Sequence, residues 1–96
     1  MLDKFNSWTQ EILPALISSG MKVEVIVCQP TSNPAIRLDI ETKQHAFATI
    51  GFWSTGDYAL EAIDFDGNAI YMHLGHVQSE TSLDDEFRDF FKSLET

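Results

Sequence analysis

The feature that most constrains the fold of this chain is a change of apolar period at Gly20. From Leu2 to Ser18 the apolar residues Leu2, Phe5, Trp8, Ile12, Leu13, Leu16 and Ile17 recur at intervals of mostly three or four. That spacing lays them along one face of a helix. Pro14 falls inside the run and deletes one backbone donor, so a kink or a restart is expected there. Gly20 is the natural stop. Beyond it the period becomes two, which is the signature of strands.

Five strands are expected. Val23, Val25 and Val27 alternate with Glu24, Ile26 and Cys28 in the first. A loop from Gln29 to Pro34, punctuated by prolines, leads to Ile36, Leu38 and Ile40 alternating with Arg37, Asp39 and Glu41. A turn at Thr42 to Gln44 opens a third strand over His45 to Trp53; a fourth covers Asp57 to Asp64 and a fifth Asn68 to Val77. Ser54-Thr55-Gly56 and Phe65-Asp66-Gly67 each place glycine third in a three-residue loop, as a type I turn followed by a left-handed residue requires. Ser82 is the expected N-cap of a last helix, with Asp84, Asp85 and Glu86 in its first turn. Leu83, Phe87, Phe90, Phe91 and Leu94 form its apolar stripe. The fold class is α+β: a five-stranded antiparallel meander sheet with an N-terminal and a C-terminal helix packed on one face. Residues 1–96 are expected to form a single domain.

The loop lengths also predict register, because residues opposite one another in paired strands point to the same side. Ile50 should oppose Leu60 and Phe52 should oppose Tyr58. In the next pair Ala62 should oppose Ile70, Leu60 Met72, and Tyr58 Leu74. These residues, with Ile36, Leu38 and Ile40, would be the core beneath the helices. The opposite face would then carry Arg37, Asp39, Glu41, Phe47, Thr49, Trp53, Asp57, Glu61, Ile63, Tyr71 and His73. A face that mixes carboxylates with aromatics is the composition of an interaction surface, where aromatics anchor and charges select.

Charge narrows the partner. Fifteen carboxylates against six Lys and Arg give −9. Nucleic-acid binding and anionic membranes call for the opposite sign, whereas a basic protein partner is favoured. The same acidity also serves plain solubility. Cys28 is the single cysteine; it stands in a valine-rich run that suggests an inert buried thiol, and no disulfide framework is possible. Met1-Leu2-Asp3-Lys4-Phe5 lacks the basic-then-apolar order of a signal peptide, so the cytoplasm is the expected location.

Catalytic and metal chemistry find little support. His73 and His76 are three apart on a strand and point to opposite faces, a poor pair for one zinc. His45 brings no third ligand. No Gly-x-Ser-x-Gly elbow or phosphate-cradling glycine loop occurs. Asp64 and Asp66 fit a tight turn, and Asp57 with Glu61 are carboxylates of an ordinary solvated kind. No cofactor, metal site or enzymatic activity is expected.

Four stretches carry a family likeness: Leu2-Asp3-Lys4-Phe5-x-Ser7-Trp8, Leu38-Asp39-Ile40-Glu41-Thr42, Ile50-x-x-Trp53-x-x-Gly56-Asp57 and Leu60-Glu61-Ala62-x-Asp64. Together they resemble the TriTu-type immunity proteins of bacterial polymorphic toxin systems, from the first helix through the fifth strand. The resemblance implies a protein that stays in the producing cell and neutralises a cognate toxin by tight binding. An acidic inhibitor suits a basic, nuclease-type toxin domain, whose phosphate-binding site it can occlude. In that role Asp39, Glu41, Asp57 and Glu61 would steer, and Phe47, Trp53 and Tyr71 would anchor with His73 beside them. A monomer or weak homodimer is expected. The competing readings are a small acidic secretion chaperone holding an extended client segment, and a ligand-binding or catalytic module with a polar pocket at His45, Asp57 and Glu61.

Overall fold

A computed structural model describes residues 2–28, 34–42 and 46–94, the side chain of Cys28 excepted. The elements run α1 (Leu2–Ser18), β1 (Lys22–Cys28), β2 (Ala35–Glu41), β3 (Phe47–Trp53), β4 (Asp57–Ile63), β5 (Ala69–His76), α2 (Leu83–Glu86) and α3 (Arg88–Ser93). The strands form one antiparallel sheet in chain order, β1-β2-β3-β4-β5. The expected α+β meander is the observed fold. α1 carries through Pro14 as a single helix, although the ring removes the amide that would otherwise bond the carbonyl of Gln10. The C-terminal stripe is divided in two at Phe87, whose backbone (φ −102°, ψ 9°) leaves the helical region. His45 and the expected burial of Cys28 lie outside what is described.

Both helical segments pack on the same face of the sheet. Phe5 of α1 stacks on Phe52 of β3 with ring centroids 4.4 Å apart and planes 7° from parallel. Trp8 meets Phe87 edge-on at 5.2 Å, and Phe87 in turn meets Tyr58 at 4.9 Å. Ile36, Leu38, Ile40, Ala48, Ile50, Leu60 and Ala62 fill the sheet side of this core. Offset and edge-on aromatic pairs add about 0.5–1.5 kcal/mol each beyond the area they bury.

Polar ties fasten the helical layer to the sheet. Lys4 Nζ donates to the carbonyls of Gln78 (3.2 Å), Ser79 (2.6 Å) and Thr81, pinning α1 to the loop after β5. Ser82 caps α2 by accepting from the amide of Asp85. The first-turn acids have partners beyond the helix dipole: Asp84 accepts from Trp8 Nε1 at 2.8 Å, and Glu86 accepts from the Tyr58 hydroxyl. Burial, and then the neighbouring Glu86 carboxylate, push the Tyr58 hydroxyl well above the usual tyrosine range. The fold therefore favours neutral Tyr58. That contribution is fully present below the unfolded value, about pH 10, and is lost as pH rises through it toward the raised value. On this account urea midpoints should hold from pH 8 to about 10 and fall above it, and Tyr58→Phe should flatten the fall.

Both glycine turns form as expected. Gly56 and Gly67 adopt φ of 93° and 86°, and their amides donate to Trp53 and Asp64 carbonyls, each at 3.0 Å. β3 and β4 pair in the expected register, Ile50 opposite Leu60 and Phe52 opposite Tyr58. The β4–β5 pair departs from it. Ile63 opposes Ala69 as the turn dictates, but Ala62 opposes Tyr71, so Ile70 is an extra residue in a bulge. From there every β5 side chain changes face: Leu60 opposes His73, Tyr58 opposes Gly75, Glu61 opposes Met72 and Ala59 opposes Leu74. Tyr71 and His73 thus lie on the helix side rather than the open face. Tyr71 meets Phe90 edge-on at 5.7 Å, and the His73 ring is 5.8 Å from that of Tyr58.

Candidate functional site: the open face of the sheet

No described helix covers the second face of the sheet, and its residues follow from the alternation. Core-side Ile36, Leu38 and Ile40 leave Arg37, Asp39 and Glu41 on the open side of β2. In the same way β3 presents Phe47, Thr49, Gly51 and Trp53, and β4 presents Asp57, Ala59, Glu61 and Ile63. The bulge adds Met72 and Leu74, which are 70% and 79% exposed. Between β2 and β5 runs an open trough of about 660 Å³, lined among others by Arg37, Thr49, Trp53, Glu61, Met72 and Leu74. Its floor is the Gly51–Ala59 pair. The Trp53 indole lies over Gly51: a Cβ built there would stand 3.5 Å from the ring, an ordinary contact distance. The ring therefore lies along the sheet as one wall of the trough, with Met72 and Leu74 opposite.

A second trough of about 620 Å³ adjoins the first around Phe47, with Glu24, Asp39, Glu41 and Thr49 in its lining. The two share Arg37 and Thr49. The described cations on this face, Arg37 and Lys22, are engaged. Arg37 Nε reaches Asp39 Oδ1 at 3.0 Å while its Nη2 donates to Oδ2 at 3.1 Å, and Lys22 stands 3.8 Å from Glu41. Glu24, Asp57 and Glu61 add further carboxylates, so the face is acidic. At its β4 end, Asp57 Oδ1 lies 2.9 Å from His76 Nδ1 and Oδ2 accepts from Thr55 Oγ1 at 2.8 Å. The His76 ring, and secondarily Thr55, hold the Asp57 carboxyl below the usual carboxylate range. Both groups are exposed, so solvent screens the pair and its worth lies in orientation. Among the described residues no group of three or more His, Cys, Asp or Glu stands close enough to hold a metal ion. No described helix is long and apolar enough to cross a membrane.

The open face is thus acidic and walled by an indole, and a family comparison covers nearly all of the chain that builds it. The family model described as immunity protein TriTu matches residues 3–93. The chain belongs to the TriTu immunity protein family. Among curated proteins no match is found. The TriTu match extends from the first turn of α1 to the end of α3, so sheet, helical layer and open face all fall within it.

Of the residues expected on the binding face of this TriTu protein, the register brings Asp39, Glu41, Phe47, Trp53, Asp57 and Glu61 together. It separates Tyr71 and His73 from them. Met72 and Leu74 were expected in the core, and they are the most exposed apolar side chains of the larger trough. The sequence held one signal for this exchange. Gly75 has no side chain to contribute on an open face, but opposite the bulky Tyr58 its bare backbone makes room for the ring.

Proposed function

We propose that this TriTu protein neutralises a cognate bacterial toxin by seating part of a folded toxin domain on the open face of its sheet. Phe47, Trp53, Met72 and Leu74 anchor the partner, while Asp39, Glu41, Asp57 and Glu61 steer it. The observation that carries the reading is the bulge at Ile70. Without it Met72 and Leu74 would turn to the core, where full burial of such a side chain is worth roughly 1.5–3 kcal/mol. Tyr71 recovers part of that against Phe90. The remainder is an apolar wall left in water beside an indole, which a soluble protein keeps when a partner covers it.

The toxin is a basic protein domain of nuclease type. Its cations meet a face whose own Lys22 and Arg37 are already engaged, so the carboxylates there accelerate encounter and reject acidic competitors. The protein acts in the cytoplasm of the producing cell as a monomer or weak homodimer, without catalysis and without nucleic acid.

Co-expression with the product of the neighbouring gene tests this. The expected result is rescued growth and a stable complex with a folded domain whose toxic activity is blocked. Co-purification with only an extended secretion segment, activity intact, would overturn the immunity reading in favour of a chaperone.

A further inference from the structure

We infer that the tip of the β4–β5 hairpin is a separate anchor, in which Phe65, flanked by Asp64 and Asp66, enters an apolar socket rimmed by Lys or Arg on the toxin. The inference rests on the immunity reading and adds a contact outside the open-face troughs, neither of which Phe65 lines.

The turn does not need this phenylalanine. Asp64 Oδ1 accepts from the amides of Asp66 and Asn68, each at 2.9 Å. The Asp64 amide donates to the Asn68 carbonyl at 2.9 Å, and Gly67 supplies the left-handed residue. Asp64 and Gly67 together specify the hairpin, and the position after Asp64 accepts most residue types. Yet it carries a large aromatic side chain that is 77% exposed. Because the turn is cross-braced, Phe65 is presented on a stiff support, which lowers the ordering cost of binding.

The surroundings extend the feature. Phe47 and Ile63 oppose one another on the adjacent strand ends, and Phe47 and Ile70 are 50% and 40% exposed. Exposed apolar side chains therefore stand at the strand ends that lead into the hairpin as well as at its tip. Charge selects the occupant. A ring held between two aspartates suits a socket with cationic walls, where a guanidinium can stack on the ring and reach a carboxylate. A second copy would bring another chain of charge −9 against the same acidic tip, and an anionic membrane would repel it.

The test measures binding to the catalytically inactivated product of the neighbouring gene, with wild type, Phe65→Ser and Phe65→Trp. The expected result is a dissociation constant raised about 30-fold or more by Phe65→Ser, with the thermal midpoint unchanged and Phe65→Trp binding like wild type. Wild-type affinity in Phe65→Ser would overturn the hairpin anchor and leave the immunity reading standing. No binding by the wild-type protein would overturn both. A wild-type dimer in sedimentation that Phe65→Ser dissociates would assign the tip to a second copy, and would also overturn the proposal.

Discussion

Gly75→Ala is expected to lower the unfolding free energy by about 3 kcal/mol, the upper end of the range for overpacking a core. A Cβ at Gly75 would lie 2.4 Å from the Tyr58 hydroxyl oxygen, 2.5 Å from Cζ and 2.8 Å from Cε2. A long flexible side chain could swing aside, but Tyr58 cannot do so cheaply. Its ring is buried edge-on to Phe87, and its hydroxyl is held by Glu86 of α2. The β5 backbone is no freer, being paired to β4 along its length. In a domain of this size such a loss lowers the thermal midpoint by roughly 12–24 °C. Urea unfolding of Gly75→Ala, Tyr58→Leu and the double variant checks the mechanism. Shortening Tyr58 empties the space the methyl needs, so the double variant should be more stable than the sum of the single losses predicts. A loss below about 1 kcal/mol, the ordinary effect of a mutation, would mean that Tyr58 does not lie over Gly75, and the bulged register would fall with it.

That same contact shows how far the sequence could be read. The helical period of α1, the alternation of β2 and the glycine-third turns are local signals, and each produced the expected element. The β3–β4 register followed because turn length alone determines it. β5 was different. Its odd and even positions both carry apolar residues: Tyr71 with Ala69 on one side of the alternation, Ile70, Met72 and Leu74 on the other. Either face could satisfy the hydrophobic pattern, so the choice passed to tertiary packing, where Tyr71 meets Phe90 and Gly75 admits Tyr58. The ties of Lys4 to the loop carbonyls and of Asp84 to Trp8 were equally invisible, since they join residues more than seventy positions apart. For the site, the β2–β4 half was legible because its strands are clean, and the β5 half was not.

Replacing Trp53 with Ala and Glu61 with Lys together is expected to weaken binding to the cognate toxin by about a thousandfold or more. An anchoring Trp truncated at the centre of an interface costs at least about 2 kcal/mol, near 30-fold at 1.4 kcal/mol per decade. Reversing Glu61 removes an attraction to a basic partner and adds a repulsion, which acts on the association rate and its salt dependence. Both residues line the larger trough, so their effects need not add, and each single variant belongs in the same series. The fold should tolerate the pair. Glu61 is exposed, and Trp53 lies over Gly51 on the open face, outside the core packed beneath the helices. The thermal midpoint should therefore move by only a few degrees while growth rescue fails. Unchanged affinity in the double variant, with the fold intact, would remove the open face as the seat of the toxin. Should Phe65→Ser weaken binding in that case, the toxin would engage the hairpin end of the sheet alone. Should both series weaken it, the acidic face and the aromatic tip belong to one interface, and their combined variant should abolish protection altogether.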